Sequence, residues 1–146
     1  MTYCHNISKI ETVHITTQKK IETEICWVSH GNYAIIQPKN KYFDNYIELE
    51  EEYFNQIIEA FETKESNDKP FWSVTPPSRG WLFVPCQLKA FFCGNGFMLK
   101  SFISLKSDGP FDKKFNQIEL TLEDFKKIRD LALNLQKKPV HCVSLG

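Results

Sequence analysis

Lysine and phenylalanine share one parity of two neighbouring apolar runs: Lys89 and Phe91 with Cys93, then Lys100, Phe102 and Lys106 with Met98 and Ser104. In a β-strand, residues two apart share a face. Leu88, Ala90 and Phe92, with Phe97, Leu99, Ser101, Ile103 and Leu105, would then face the core and leave the Lys/Phe set outward. Aromatic rings interleaved with ammonium groups suit single-stranded nucleic acid. Bases stack on the rings at about 1–3 kcal/mol each while lysines follow the phosphates, and no base identity is required. The same residues also suit a sheet-on-sheet or dimer interface, with the rings buried and the lysine heads reaching past them to water.

Other reactive residues are less promising. The corresponding outward set nearer the start is His14, Thr16, Gln18, Glu22 and Glu24, whose carboxylates would repel a phosphate chain. Lys39 and Lys41 are the basic pair of that half placed to help. Cys4-His5 and His141-Cys142 could supply four zinc ligands, but their spacing matches no finger pattern. Gly94-Asn95-Gly96 lacks the phosphate-loop spacing and reads as a hairpin turn. No Ser, His and acid set suggests a nucleophilic triad, and Trp27, Trp72 and Trp81 suit core or interface positions. The expectation is a non-enzymatic protein with no metal and no cofactor.

Composition bounds the setting. The 146 residues, 42% hydrophobic with twelve Phe, suffice for one compact core without metal or disulfide staples. Five cysteines without a CxxC pair do not resemble a disulfide framework. No apolar run is long enough to span a membrane, and Met1 to Lys9 lacks the layout of a secretory signal. An intracellular protein is expected, nuclear or cytoplasmic, with no membrane partner. The formal net charge is zero, yet residues 1–66 carry six Lys against eleven Asp and Glu, whereas residues 67–146 carry twelve Lys and Arg against seven acids. Opposite halves of net −5 and +5 attract each other, simply solvate themselves, or mark a local site for an anionic partner.

The elements that must hold these residues repeat. Ile47-Glu48-Leu49, followed by Phe54 and Ile57, returns 71 positions later as Ile118-Glu119-Leu120, followed by Phe125 and Ile128, and Asn45 and Asn116 extend the match. Strands are expected at Val13–Gln18, Ile21–Trp27, Tyr33–Gln37 and Tyr42–Glu48, with a turn at Ser29-His30-Gly31-Asn32. Phe54, Ile57, Ile58 and Phe61 then give a helical stripe, with Glu50 to Glu52 in its first turn complementing the helix dipole. The second half repeats the order. Strands are expected at Gly80–Cys86, Gln87–Cys93, Phe97–Lys106 and Phe115–Leu120, and Thr121 caps a helix whose stripe is Leu122, Phe125, Ile128, Leu131, Ala132 and Leu135. An α+β domain of two ββββα units follows: 10–63, a proline-bearing linker 64–79 whose Phe71 and Trp72 pack on the sheet, 80–138, and a tail 139–146. One such unit leaves a thin core, so the pair is expected to form an intramolecular pseudo-dimer.

A ββββα duplication whose last strand enters the helix through Ile118-Glu119-Leu120-Thr121-Leu122-Glu123-Asp124-Phe125-Lys126-Lys127-Ile128 resembles the single-stranded-DNA-binding transcriptional-regulator superfamily. This includes the positive coactivators, the plant Whirly proteins, the mitochondrial guide-RNA-binding proteins and the PUR-repeat proteins. The chain has no counterpart of the Whirly Lys-Gly-Lys-Ala-Ala-Leu signature, and Gly96-Phe97-Met98-Leu99-Lys100 is a loose echo of the PUR hairpin. The resemblance implies a helix on one sheet face and nucleic acid on the other. It points to single-stranded DNA or RNA binding in transcription, replication or genome maintenance. A protein-interaction module or transcription cofactor on the same fold is the alternative, favoured by the zero net charge, and the strand edges allow a homo-oligomer.

Overall fold

The computed structural model describes residues 2–3, 5–15, 17–29, 31–39, 46–63, 69–75, 87–95, 100–108, 115–138 and 143–144. Two four-stranded antiparallel meanders, each followed by one helix, make up the α+β architecture. The first sheet contains β2 (His5–Val13), β3 (Lys20–Val28), β4 (Tyr33–Pro38) and β5 (Ile47–Glu50), in chain order, and leads into α1 (Glu51–Glu62). The second contains β6 (Trp72–Val74), β7 (Leu88–Asn95), β8 (Lys100–Asp108) and β9 (Phe115–Thr121), and leads into α2 (Leu122–Lys137). Short strands at the two ends of the chain, β1 (Thr2–Tyr3) and β10 (Val143–Ser144), pair antiparallel, Thr2 opposite Ser144.

The repeated sequence marks equivalent places in the two units. Ile47 and Leu49 in β5, like Ile118 and Leu120 in β9, point into the core, and Glu48 and Glu119 alternate to the other face. Phe54 and Phe125 are both essentially buried, and their rings meet with centroids 5.5 Å apart. Equivalent residues touch one another where a twofold relation brings the same surface of two units together. The tandem units are thus packed as an intramolecular pseudo-dimer around one continuous core that draws on both sheets and both helices.

Each helix reaches the other unit's sheet. The α1 ring Tyr53 lies 5.4 Å from Trp72 of β6, and Phe61 meets Phe71 and Phe92 on the inner side of the second sheet. Helix α2 in turn packs on β2 and β3 of the first sheet. Between the helices, Gln136 donates to Glu51 at 2.8 Å and Arg129 donates to Asn55 at 3.3 Å, so α1 and α2 run in opposite senses. This exchange answers the thin-core problem of a single sheet and helix: each buried Ile, Leu or Phe contributes about 1.5–3 kcal/mol only when both sides are covered.

Several local expectations need correction. The strand expected at Val13–Gln18 lies earlier, at His5–Val13, and ahead of β3 the His14 N–H donates to the Lys19 carbonyl at 2.8 Å and the Gln18 N–H to the His14 carbonyl at 2.7 Å, as in a turn. Gln18 sits there at φ 59°, a turn conformation that no strand residue adopts. The alternation of Val13, Ile15 and Thr17 misled because the true strand buries a polar residue, Thr12, whose hydroxyl pairs with that of Thr23 at 2.8 Å. A satisfied hydroxyl can replace an apolar side chain on a core face.

The second sheet takes its first strand, Trp72–Val74, from the segment read as linker, anchored by Phe71 N–H to the Ala90 carbonyl at 2.9 Å. Gly94 and Asn95 are strand residues opposite Ser101 and Lys100 rather than the hairpin turn. The fourth strand of the first unit is Ile47–Glu50, and Glu50 is the N-cap of α1 rather than a first-turn residue. The strand expected at Gly80–Cys86 lies outside the described residues.

Candidate nucleic-acid interface

Register decides which side chains share the outward face of the second sheet. Lys89 pairs with Lys106, which pairs with Gln117; Phe91 pairs with Ser104, which pairs with Glu119; Cys93 pairs with Phe102, which pairs with Thr121. On the opposite parity Leu88, Ala90, Ile103, Leu105, Ile118 and Leu120 are buried. Lys89, Phe91, Phe102 and Lys106 therefore stand on one face, in three successive rows, and each is half-buried rather than lost in the core. Lys100 stands in β8 opposite Asn95; of this residue only the strand position is described.

The centre of the face is polar and closed. Ser104, expected to point outward, is 3% exposed, and Gln117 donates to its hydroxyl oxygen at 2.7 Å. Phe91 shares the row of Ser104 and Phe102 stands in the next row, while Lys89 and Lys106 share the row of Gln117. Such an arrangement offers flat apolar surface beside a line of positive charge. Glu119, in the same row as Ser104, adds one carboxylate to an otherwise basic surface.

The outward face of the first sheet has the opposite character. Its rows are Lys9, Glu24 and Gln37; Glu11 and Glu22; and Ile7, Cys26, Ile35 and Glu48. Glu22 and Glu24 face outward as the alternation requires, whereas His14 and Gln18 belong to the turn, and Thr16 lies outside the described residues. Lysines here are bound to carboxylates: Lys9 to Glu22 at 3.3 Å, Lys20 to Glu11 at 3.9 Å and Lys39 to Glu24 at 3.4 Å. Lys39 thus belongs to the acidic face and stands apart from the Lys/Phe face it was expected to supplement. Lys41 lies outside the described residues. Burial, and then the nearby Glu24 carboxylate, push the Cys26 thiol above its ordinary pKa.

Asp124, three residues after the Thr121 cap, makes a contact that the helical stripe does not show. Thr121 caps α2 as expected, accepting the Asp124 N–H at 3.1 Å. The Asp124 carboxylate does not reach back to the cap; it accepts the backbone N–H of Val13 at 2.9 Å, at the far end of β2. At 6% exposure it ties the second unit's helix to the first unit's sheet. A helical wheel contains no such long-range signal.

Among the described residues no group of three or more His, Cys, Asp and Glu could hold a metal ion, and no helix is long and apolar enough to cross a membrane. Cys4, His141 and Cys142 lie outside the described residues. A depression lined by Asn32, Glu50, Glu51, Glu52 and Asn55 carries carboxylates unsuited to phosphate. No protein-family model matches the chain, and no curated protein is similar to it.

Proposed function

We propose that the protein binds single-stranded nucleic acid, DNA or RNA, on the outward face of the second sheet, without enzymatic activity or cofactor, in transcription, replication or genome maintenance. The observation that carries this reading is the common face of Lys89, Phe91, Phe102 and Lys106, set by strand register. Phe91 and Phe102 would stack bases, and Lys89 and Lys106 would follow the phosphates on one side of them. The tandem ββββα layout agrees with the resemblance to the single-stranded-DNA-binding regulators. An acidic first face restricts the binding to one of the two sheets.

Fluorescence anisotropy of labelled single- and double-stranded oligonucleotides, at low and near-physiological salt, tests it. Single-strand binding should weaken steeply with salt through counterion release. Phe102→Ala should cost about 1–3 kcal/mol of affinity, roughly 5- to 150-fold. Absence of binding at low salt, or binding indifferent to Phe102→Ala and Lys106→Ala, would overturn the proposal. The acidic first face and zero net charge favour a second reading, a protein-interaction module on the same fold, whose affinity for its partner would respond little to salt if the contact is apolar.

A further inference from the structure

We infer, on the single-strand reading proposed above, that Glu119 makes guanine the preferred base on the outward face of the second sheet. Glu119 is the one carboxylate in the three rows that hold Phe91, Phe102, Lys89 and Lys106. Its side chain is half-buried, and among the described residues it enters no ion pair or side-chain hydrogen bond. The rings of Phe91 and Phe102 are likewise without a ring partner among the described residues. Ser104, by contrast, is buried and closed by Gln117. A carboxylate on this face repels the phosphates of every sequence alike. That repulsion is offset only where a base donates to it, so the effect of Glu119 is discrimination between bases rather than affinity for all of them.

Strand register places the carboxylate beside one ring in particular. Glu119 stands on the strand next to Phe102 and one row away, a diagonal of about 7–8 Å that long side chains bridge. Phe91 lies two strands off in the same row, about 10 Å away, with Ser104 between. A base stacked on Phe102 is thus the one whose hydrogen-bonding edge Glu119 reaches.

The chemistry of a carboxylate decides which base that is. An ionised carboxylate accepts hydrogen bonds and donates none. The Watson–Crick edge of guanine carries two adjacent donors, N1–H and the N2 amino group, spaced to meet the two oxygens of one carboxylate. Adenine and cytosine place a ring-nitrogen acceptor beside their amino group. Thymine and uracil place N3–H between two carbonyl oxygens. Each of these turns a lone pair toward Glu119, whereas guanine turns none. Unstacked bases of a single strand are read through these edges, and hydrogen bonds to an ionised acceptor are the stronger kind.

Anisotropy at low salt tests this with labelled oligothymidylates of one length that carry a single central guanosine, inosine, adenosine or cytidine, and with an all-thymidine probe. Inosine keeps N1–H but lacks the N2 amino group. The guanosine probe should bind tightest, by roughly 5- to 150-fold over adenosine or cytidine, the range of one bidentate pair, with inosine between. Glu119→Gln keeps the side chain's size and replaces one acceptor oxygen with a donor. The preference should then fall to about twofold or less, while affinity for the all-thymidine probe rises because a charge that repels phosphate is gone. Binding without a guanine preference, or a preference that survives Glu119→Gln, overturns the inference and leaves single-strand binding standing. No binding of any probe, the all-thymidine one included, overturns both.

Discussion

Tyr53 and Asp124 occupy the same place in the two repeats, and each docks its helix onto the first strand of the other unit's sheet. Tyr53 does so with a ring against Trp72, supported by the Trp72 indole N–H donating to Gln56 at 3.2 Å. Asp124 does so with a carboxylate accepting the Val13 amide. One contact is apolar and tolerant of small shifts; the other is directional and fixes where β2 ends. The outward faces diverge in the same way, one aromatic and basic, the other acidic. Duplication preserves the frame because the core needs both copies, and it leaves the docking contacts and the solvent faces open to change.

The largest effect should come from the part of the frame that has not diverged. Phe54→Ala and Phe125→Ala remove equivalent rings from the place where the units meet, and each should cost about 3–5 kcal/mol in urea unfolding. Similar losses for the two would confirm that neither unit holds the other's core as a passive guest. A loss confined to one would show that the pseudo-symmetry is geometric and not energetic.

The polar latch comes next. Asp124→Ala leaves the Val13 N–H without its acceptor and should cost about 1–3 kcal/mol, whereas Asp124→Asn keeps an acceptor oxygen and should lose less. The two variants can be compared with hydrogen exchange at Val13, which should accelerate in the alanine variant. Equal behaviour of both would mean that the carboxylate's charge, rather than its hydrogen bond, holds the units together.

Both helices, the two strand-to-helix junctions and the duplication were legible from the chain. There the pattern is dense: Phe54, Ile57, Ile58 and Phe61 in one helix, Phe125, Ile128, Ala132 and Leu135 in the other, all buried. The parity of the Lys/Phe strands was legible for the same reason, since Ile103 and Leu105 fix the inner face. The first strand was not. Its inner positions include Thr12, whose partner Thr23 lies on a different strand, and its outer positions include the exposed Ile7, so hydrophobicity and burial disagree there. Strand β6 was hidden by Pro70, Pro76 and Pro77 around it, although Phe71 and Trp72 betrayed a packed segment. Ser104 shows that an outward face can still bury a residue once Gln117 covers it.

The contrast between the faces should appear in the salt dependence of single-strand binding. Removing Lys89 and Lys106 by alanine substitution should flatten the slope of log affinity against log salt by about 0.7 per lysine that contacts phosphate. Removing Lys9, Lys20 and Lys39 from the other face should leave the slope where it was, because these lysines stand among carboxylates that keep phosphate away. A change of equal size from either set would place the nucleic acid on both sheets.

The smallest expected effect concerns Cys26, at the centre of the acidic face. Reaction with iodoacetamide requires the thiolate, and burial together with Glu24 favours the protonated thiol. Alkylation followed by peptide mass mapping should therefore find Cys26 slower than an unperturbed thiol at neutral pH, accelerating only as the pH rises beyond the ordinary thiol range. The sign of the linkage is the same: a thiol pKa raised by folding leaves stability intact below the unfolded value and erodes it above. Neutralising the neighbour by Glu24→Gln should bring the reactive range partly back, since the Coulombic cause goes and the burial remains.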